Sequence, residues 1–173
     1  TATVRWNHIL NEKLFSNTSL IYSDFTYNVN VNNDNSEFVI ASKIENFNLK
    51  QDFSYYANNK STWRFGLNAL KQKISPASLN ANVNSAVNSI NIEKRHGIEV
   101  AAYVSHEWNP TYWFSVLYGL RATDFMVQGP GTFYNFDADG EAISNEKYTG
   151  SEIIKHHLNI EPRLSASFIL NDK

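Results

Sequence analysis

The chain has 173 residues, a formal net charge of -2, no cysteine and one methionine. Near-neutrality excludes a nucleic-acid surface built on bulk charge, and the lack of cysteine excludes disulfides, thiolate metal sites and cysteine nucleophiles together. No apolar run approaches the roughly 20 residues of a membrane helix, so any membrane role falls to strands.

Aromatics reach 14%, with nine Tyr and eleven Phe, more than an ordinary soluble core requires. Thr1 opens directly on a strand pattern with no leader before it, which is expected of a piece of a longer chain. Ala2 to Leu10 sets Val4, Trp6, His8 and Leu10 against Thr3, Arg5 and Asn7. A tight polar turn at 11–13 follows. Leu14 to Val31 is a long strand with a blurred pattern, and 32–36 is a loop by composition. Glu37 to Ala57 is strand-like, with Phe47, Leu49, Phe53 and Tyr55 opposite Asn46, Asn48, Lys50, Asp52 and Ser54. After a turn at 58–60, Thr62 to Ile74 places Trp63, Phe65, Leu67 and Ala69 against Arg64, Gly66, Asn68 and Gln72.

Residues 75–96, rich in Asn, Ser and Ala, suit a long loop. The hairpin from Gly97 to Val127 is the clearest element. One face of its first arm carries Ile98, Val100, Ala102, Val104, His106 and Trp108, and the other Glu99, Ala101, Tyr103, Ser105 and Glu107. Proline neither donates to a ladder nor leaves its predecessor free, so Asn109-Pro110-Thr111 predicts the turn. A second long loop is expected over 128–152, and the last strand over Lys155 to Leu170. Alternation of apolar and polar residues at period two, with no helical period, predicts an all-β chain. The architecture is an antiparallel up-and-down meander of about seven strands in a single unit over 1–173. Short connections at 11–13, 58–60 and 109–111 share one end, and the longer ones share the other. Trp6, Trp63, Trp108 and Trp113 all lie near short turns, as an interfacial aromatic belt would require.

Four stretches then occur in a telling order: Tyr103-Val-Ser-His-Glu-Trp108, Leu117-Tyr-Gly-Leu-Arg121, Gly129-Pro-Gly-Thr-Phe-Tyr134 and Ile160-Glu-Pro-Arg-Leu-Ser165. Together with Asn58-Asn-Lys-Ser-Thr-Trp-Arg-Phe-Gly66 and Ile74-Ser-Pro76, this order resembles the barrel of TonB-dependent outer-membrane receptors over about Ile44 to Lys173. The energy-coupling box, the plug domain and the remaining barrel strands are not in the sequence. The resemblance implies a segment of a larger transmembrane β-barrel in the outer membrane of a Gram-negative bacterium. It implies uptake of a small-molecule, glycan or peptide ligand, energised through a periplasm-spanning TonB-type coupling protein. Its partners would be outer-membrane lipid, the plug domain and the rest of the barrel. It implies no cofactor and no enzymatic activity.

Arg64, Glu99, Glu107, Arg121, Glu161 and Arg163 all fall on polar faces. Two readings are open: groups in the lumen that touch ligand or plug, or cross-strand ion pairs that keep a watery interior polar. His106 sits beside the tryptophans as an interfacial residue. His156-His157 is a poor metal site, because adjacent strand residues point to opposite faces. Asn135 to Glu146 copies the ligand spacing of a calcium loop, yet Asp139-Gly140 at a hairpin tip explains the same letters. The alternative to a barrel segment is a soluble β-sandwich or lectin-like binding module, which would bury the apolar face against a second sheet. An outer-membrane enzyme barrel is a third possibility, for which the sequence offers no catalytic constellation. Removed from its barrel, the chain is expected to self-associate through its uncovered face and edges.

Overall fold

A computed structural model describes residues 1–33, 36–81 and 92–170. Every described element is a strand: β1 (Ala2–Asn11), β2 (Leu14–Asn33), β3 (Ser36–Asn58), β4 (Ser61–Ala81), β5 (Arg95–Thr111), β6 (Phe114–Gln128), β7 (Gly131–Phe136), β8 (Ala142–Tyr148) and β9 (Ile153–Phe168). Seven of them form one sheet in the order β1-β2-β3-β4-β5-β6-β9, and β7 with β8 forms a separate hairpin. All pairings are antiparallel. The sheet is an open meander, with β1 and β9 as its edges.

Four expectations are corrected. The turn predicted at 109–111 lies at Tyr112 and Trp113, because β5 continues through Pro110 to Thr111. The ladder shifts register between Trp108 and Thr111, and a bulge is where a strand tolerates a proline that cannot donate. Lys60 Nζ donates to the Pro110 carbonyl at 2.9 Å, so the segment is also held from the neighbouring turn. The expected loop 75–96 is strand at both ends, since β4 runs to Ala81 and β5 begins at Arg95; its middle, 82–91, lies outside the described residues. The expected loop 128–152 contains the β7–β8 hairpin, with Gly140 at φ 86° in its tip. The loop expected at 32–36 is narrower, because β2 reaches Asn33 and β3 starts at Ser36; 34–35 lie outside the described residues, as do 171–173.

Register assigns the faces. On one face, rows read across the sheet as Tyr55-Trp63-His106-Tyr118-Leu164 and Phe53-Phe65-Val104-Leu120-Pro162. Further along come Gln51-Leu67-Ala102-Ala122-Ile160 and Leu49-Ala69-Val100-Asp124-Leu158. The opposite face carries the polar residues. Among the described residues nothing covers the apolar face: Ala101 is the one buried hydrophobic side chain, while Phe47, Leu49, Leu67, Val100, Leu120, Ile160 and Leu164 are exposed.

Candidate functional site: the polar face around Tyr103

Tyr103 stands at the middle of the polar face. Its Oη donates to Asp52 Oδ1 at 2.5 Å, although the two residues belong to β5 and β3 with β4 between them. Gly66 of β4 makes the crossing possible. A Cβ there would lie 2.9 Å from Tyr103 Cε1 and 3.1 Å from Asp52 Oδ1, and against the Gln51 carbonyl as well. The ring lies over the glycine, covering backbone that has no side chain of its own. Lys50 holds the other Asp52 oxygen at 3.2 Å.

Two depressions flank this bridge. One, of about 490 Å³, has Gly119 in its floor and Tyr103, Ser105, Leu117, Arg121 and Arg163 around it. The other, of about 480 Å³, is lined by Asn17, Lys50, Asp52, Ser54 and Arg64 on the far side of Tyr103. Each offers cationic groups, hydroxyls or amides beside the Tyr103 ring, a surface that holds polar or anionic molecules by several directed bonds.

The six charged residues singled out from the sequence share this face and meet as three pairs. Arg64 reaches Glu107 at 2.8 Å and Arg121 reaches Glu99 at 3.5 Å, both across neighbouring strands. Arg163 pairs with Glu161 at 2.9 Å along β9. All six are at least a quarter exposed, so each pair contributes only about 0–1 kcal/mol. Their common effect is to keep the face charged yet locally balanced.

The tryptophans divide. Trp63 and Trp108 lie on the apolar face within the rows nearest the short turns. Trp113 sits in the β5–β6 turn, its ring centroid 6.3 Å from that of Phe168. Trp6 pairs with Thr18 and through it with Gln51 and Leu67, four residues deeper along the strands than Trp63.

Sequence reasoning missed a network beside this aromatic row. His106, 8% exposed, shares one hydrogen bond of 2.7 Å with Ser61 Oγ at Nε2 and another of 2.7 Å with Tyr118 Oη at Nδ1. Trp63 stacks on its ring at 4.0 Å and 7°. A buried imidazole without partners is costly, and these contacts satisfy both ring nitrogens. Period two placed His106 next to Trp63's face, but only register identifies Ser61 and Tyr118 as its partners.

The β7–β8 hairpin is tied down at its base. Glu93 accepts from the Thr132 amide at 2.7 Å and from its hydroxyl at 3.0 Å, and Arg95 lies 4.7 Å above the Phe133 ring. The Thr132 amide, then its hydroxyl, hold the Glu93 carboxyl below the usual range. Within the hairpin the calcium-loop letters serve the turn itself. Asp137 Oδ1 accepts the amides of Asp139 and Glu141, Asn135 donates to Ser144, and Glu146 accepts from the Tyr148 hydroxyl. His156 and His157 do point to opposite faces, opposite Met126 and Phe125. His156 Nδ1 lies 3.5 Å from Asp124.

Comparison of the chain with known protein families, with curated proteins and with solved structures finds no match.

Proposed function

We propose that the chain is part of the barrel wall of a TonB-dependent outer-membrane receptor, its polar face turned to the lumen and its apolar face to lipid. The observation that carries this reading is the uncovered apolar face and the way it ends. Phe47 to Tyr55 in β3 and Ile98 to His106 in β5 span nine residues each, the length of a tilted membrane strand, about 9–11 residues. At the short-turn end the band closes with Tyr55, Trp63, Trp108 and Tyr118, amphipathic rings of the kind that favour a membrane interface. At the other end it closes with a charged ladder, in which Lys43 meets Asp24 at 2.8 Å and Glu45 at 3.2 Å, and Lys73 meets Glu45 at 3.1 Å.

Gln51, Ser16 and Thr18, inside the band, bond to one another, as hydrocarbon surroundings demand. Gln51 Nε2 donates to Ser16 Oγ at 2.7 Å and its Oε1 accepts from Thr18 Oγ1 at 2.5 Å. A soluble sandwich needs a second sheet against Leu67, Val100 and Leu120, and the two-stranded β7–β8 sheet is the only other sheet among the described residues. In the proposed receptor the Tyr103 face contacts ligand or plug, and function is uptake, energised by the coupling protein, rather than catalysis. Single-tryptophan variants in vesicles of lipids brominated at defined depths test the orientation. Trp63, Trp108 and Trp113 should be quenched most strongly by bromine near the headgroup. Absence of quenching by any brominated lipid would remove the barrel reading.

A further inference from the structure

The contact between Ser61 and His106 has the geometry of a nucleophile and its base. Ser61 Oγ lies 2.7 Å from His106 Nε2, and His106 Nδ1 lies 2.7 Å from Tyr118 Oη. With the ring proton on Nδ1 and donated to Tyr118, the Nε2 lone pair is left to accept the Ser61 hydroxyl proton. Trp63, stacked on the imidazole at 4.0 Å, fixes the plane of the ring. His106 is buried, while Ser61 is only half-buried. In the ladders on its two sides Ser61 pairs with Asn58 and Trp108, whose amide and indole N–H groups are donors for an oxyanion.

Beside His106 lies a depression of about 250 Å³, lined by Trp63, Val104, Tyr118 and Leu120 and by no lysine, arginine or carboxylate. A group seated there is apolar, whereas the atom that meets Ser61 must be electrophilic. An acyl ester with a hydrocarbon tail combines the two. Ser61 and Trp108 form the row just outside Trp63 and His106, in the aromatic belt, the level at which a bilayer carries its ester carbonyls. We infer that Ser61, with His106 as base, cleaves the acyl ester of a membrane glycerolipid, an activity of the apolar face added to uptake. Ser61 Oγ bonds to the carbonyl carbon as its proton passes to Nε2. The bond from that carbon to the glycerol oxygen then breaks, and the glycerol oxygen takes the proton. Water, giving a proton to the same Nε2, cleaves the acyl-serine; fatty acid leaves and the proton returns to Oγ. The lipid substrate rests on the barrel reading, and the nucleophile does not.

Reaction of the full chain with an alkyl fluorophosphonate in lauryldimethylamine oxide micelles, read by peptide mass spectrometry, tests the nucleophile. Ser61 should carry the phosphonyl group and S61A none. H106Q keeps a hydrogen bond but takes no proton, and should react about a hundredfold more slowly. Y118F should lower kcat for p-nitrophenyl butyrate and leave KM unchanged, a split that lost stability alone does not produce. Circular dichroism of S61A should match the parent. Fatty acid release from dioleoylphosphatidylcholine, set against its ether-linked analogue, tests the substrate. An unreacted Ser61 in a chain that enters micelles, or S61A labelled like the parent, overturns the nucleophile and leaves the barrel reading intact. A labelled Ser61 without fatty acid release overturns the lipid substrate. A chain that is labelled yet takes up no detergent overturns the lipid substrate and the barrel reading together.

Discussion

Tyr103 and Asp52 are joined across an intervening strand, Oη to Oδ1 at 2.5 Å, over a residue that must be glycine for the ring to pass. The bond ties β3, β4 and β5 into one rigid patch at the centre of the polar face. Tyr103→Phe should lower stability by about 1 kcal/mol, the worth of one hydrogen bond to a charged or part-buried partner. Gly66→Ala should lower it more, by about 1–3 kcal/mol, because the new methyl collides with backbone as well as ring. Urea unfolding in detergent reads both. A Tyr103→Phe/Asp52→Asn double variant should cost less than the sum of its singles, since each single already breaks the same bond. Simple additivity would mean that the two side chains do not interact.

His106 offers a second test. Removing it with His106→Ala strands Ser61 and Tyr118 and deletes the ring on which Trp63 stacks. Loss of a part-buried network of this kind should lower stability by about 2–3 kcal/mol, against about 1 kcal/mol for Ser61→Ala or Tyr118→Phe alone. The Trp63 emission should change in His106→Ala and stay near the parent in Ser61→Ala. If all three variants match the parent in stability, the network is not structural.

Strand identity was legible because alternation survives wherever one face is apolar. Phe47, Leu49, Phe53 and Tyr55 announce β3, and the Gly97–Val127 hairpin announces β5 and β6. The misplaced turn shows the limit. Asn109-Pro110 reads as a turn from local chemistry, yet a bulge after Trp108 lets the strand absorb the proline and turn at Tyr112-Trp113 instead. The β7–β8 hairpin is legible only at its tip, where Asp139-Gly140 marks the turn; polar composition hides its arms, and their pairing, Phe133 with Glu146, lies outside the main sheet. Site contacts were the least legible. Asp52 and Tyr103 are 51 residues apart, and Ser61 and His106 are 45 apart. Only register brings such residues together, and register depends on the whole ladder.

Acid should loosen the hairpin before it loosens the sheet. Glu93 has a folded-state pKa below its ordinary value, because its charged form accepts two bonds from Thr132. Its contribution is therefore fully present above the ordinary glutamate range and is lost as pH falls through the lowered folded value. The protection of the Thr132 amide, its exchange relative to an unstructured amide at the same pH, should fall as pH drops below the ordinary glutamate range. Glu93→Gln should exchange faster at neutral pH and lose that acid dependence. A Thr132 amide equally protected at pH 3 and pH 7 contradicts the assignment.

The open sheet should make the chain unstable as a monomer in water. Two edges, along β1 and β9, leave backbone donors and acceptors without a strand to pair. The apolar face adds the larger drive: Trp6, Leu67, Val104, Leu120, Ile160 and Leu164 are all exposed, and the described residues supply nothing to cover them. Burying about 1,000 Å² of such surface contributes roughly 25 kcal/mol before association costs are subtracted. Closing β1 onto β9 would require a new stagger through every ladder, whereas packing two copies face to face leaves the register untouched. Detergent-free buffer should therefore show self-association by light scattering, and maltoside above its micelle concentration should reverse it. Leu67→Lys with Leu120→Lys should shift the equilibrium toward monomer, because burying those ammonium groups in a face-to-face pair is unfavourable. If the double variant associates as strongly as the parent, the edges rather than the face drive assembly. A parent chain that stays monomeric without detergent, and binds no hydrophobic dye, would contradict the uncovered face itself and with it the membrane reading.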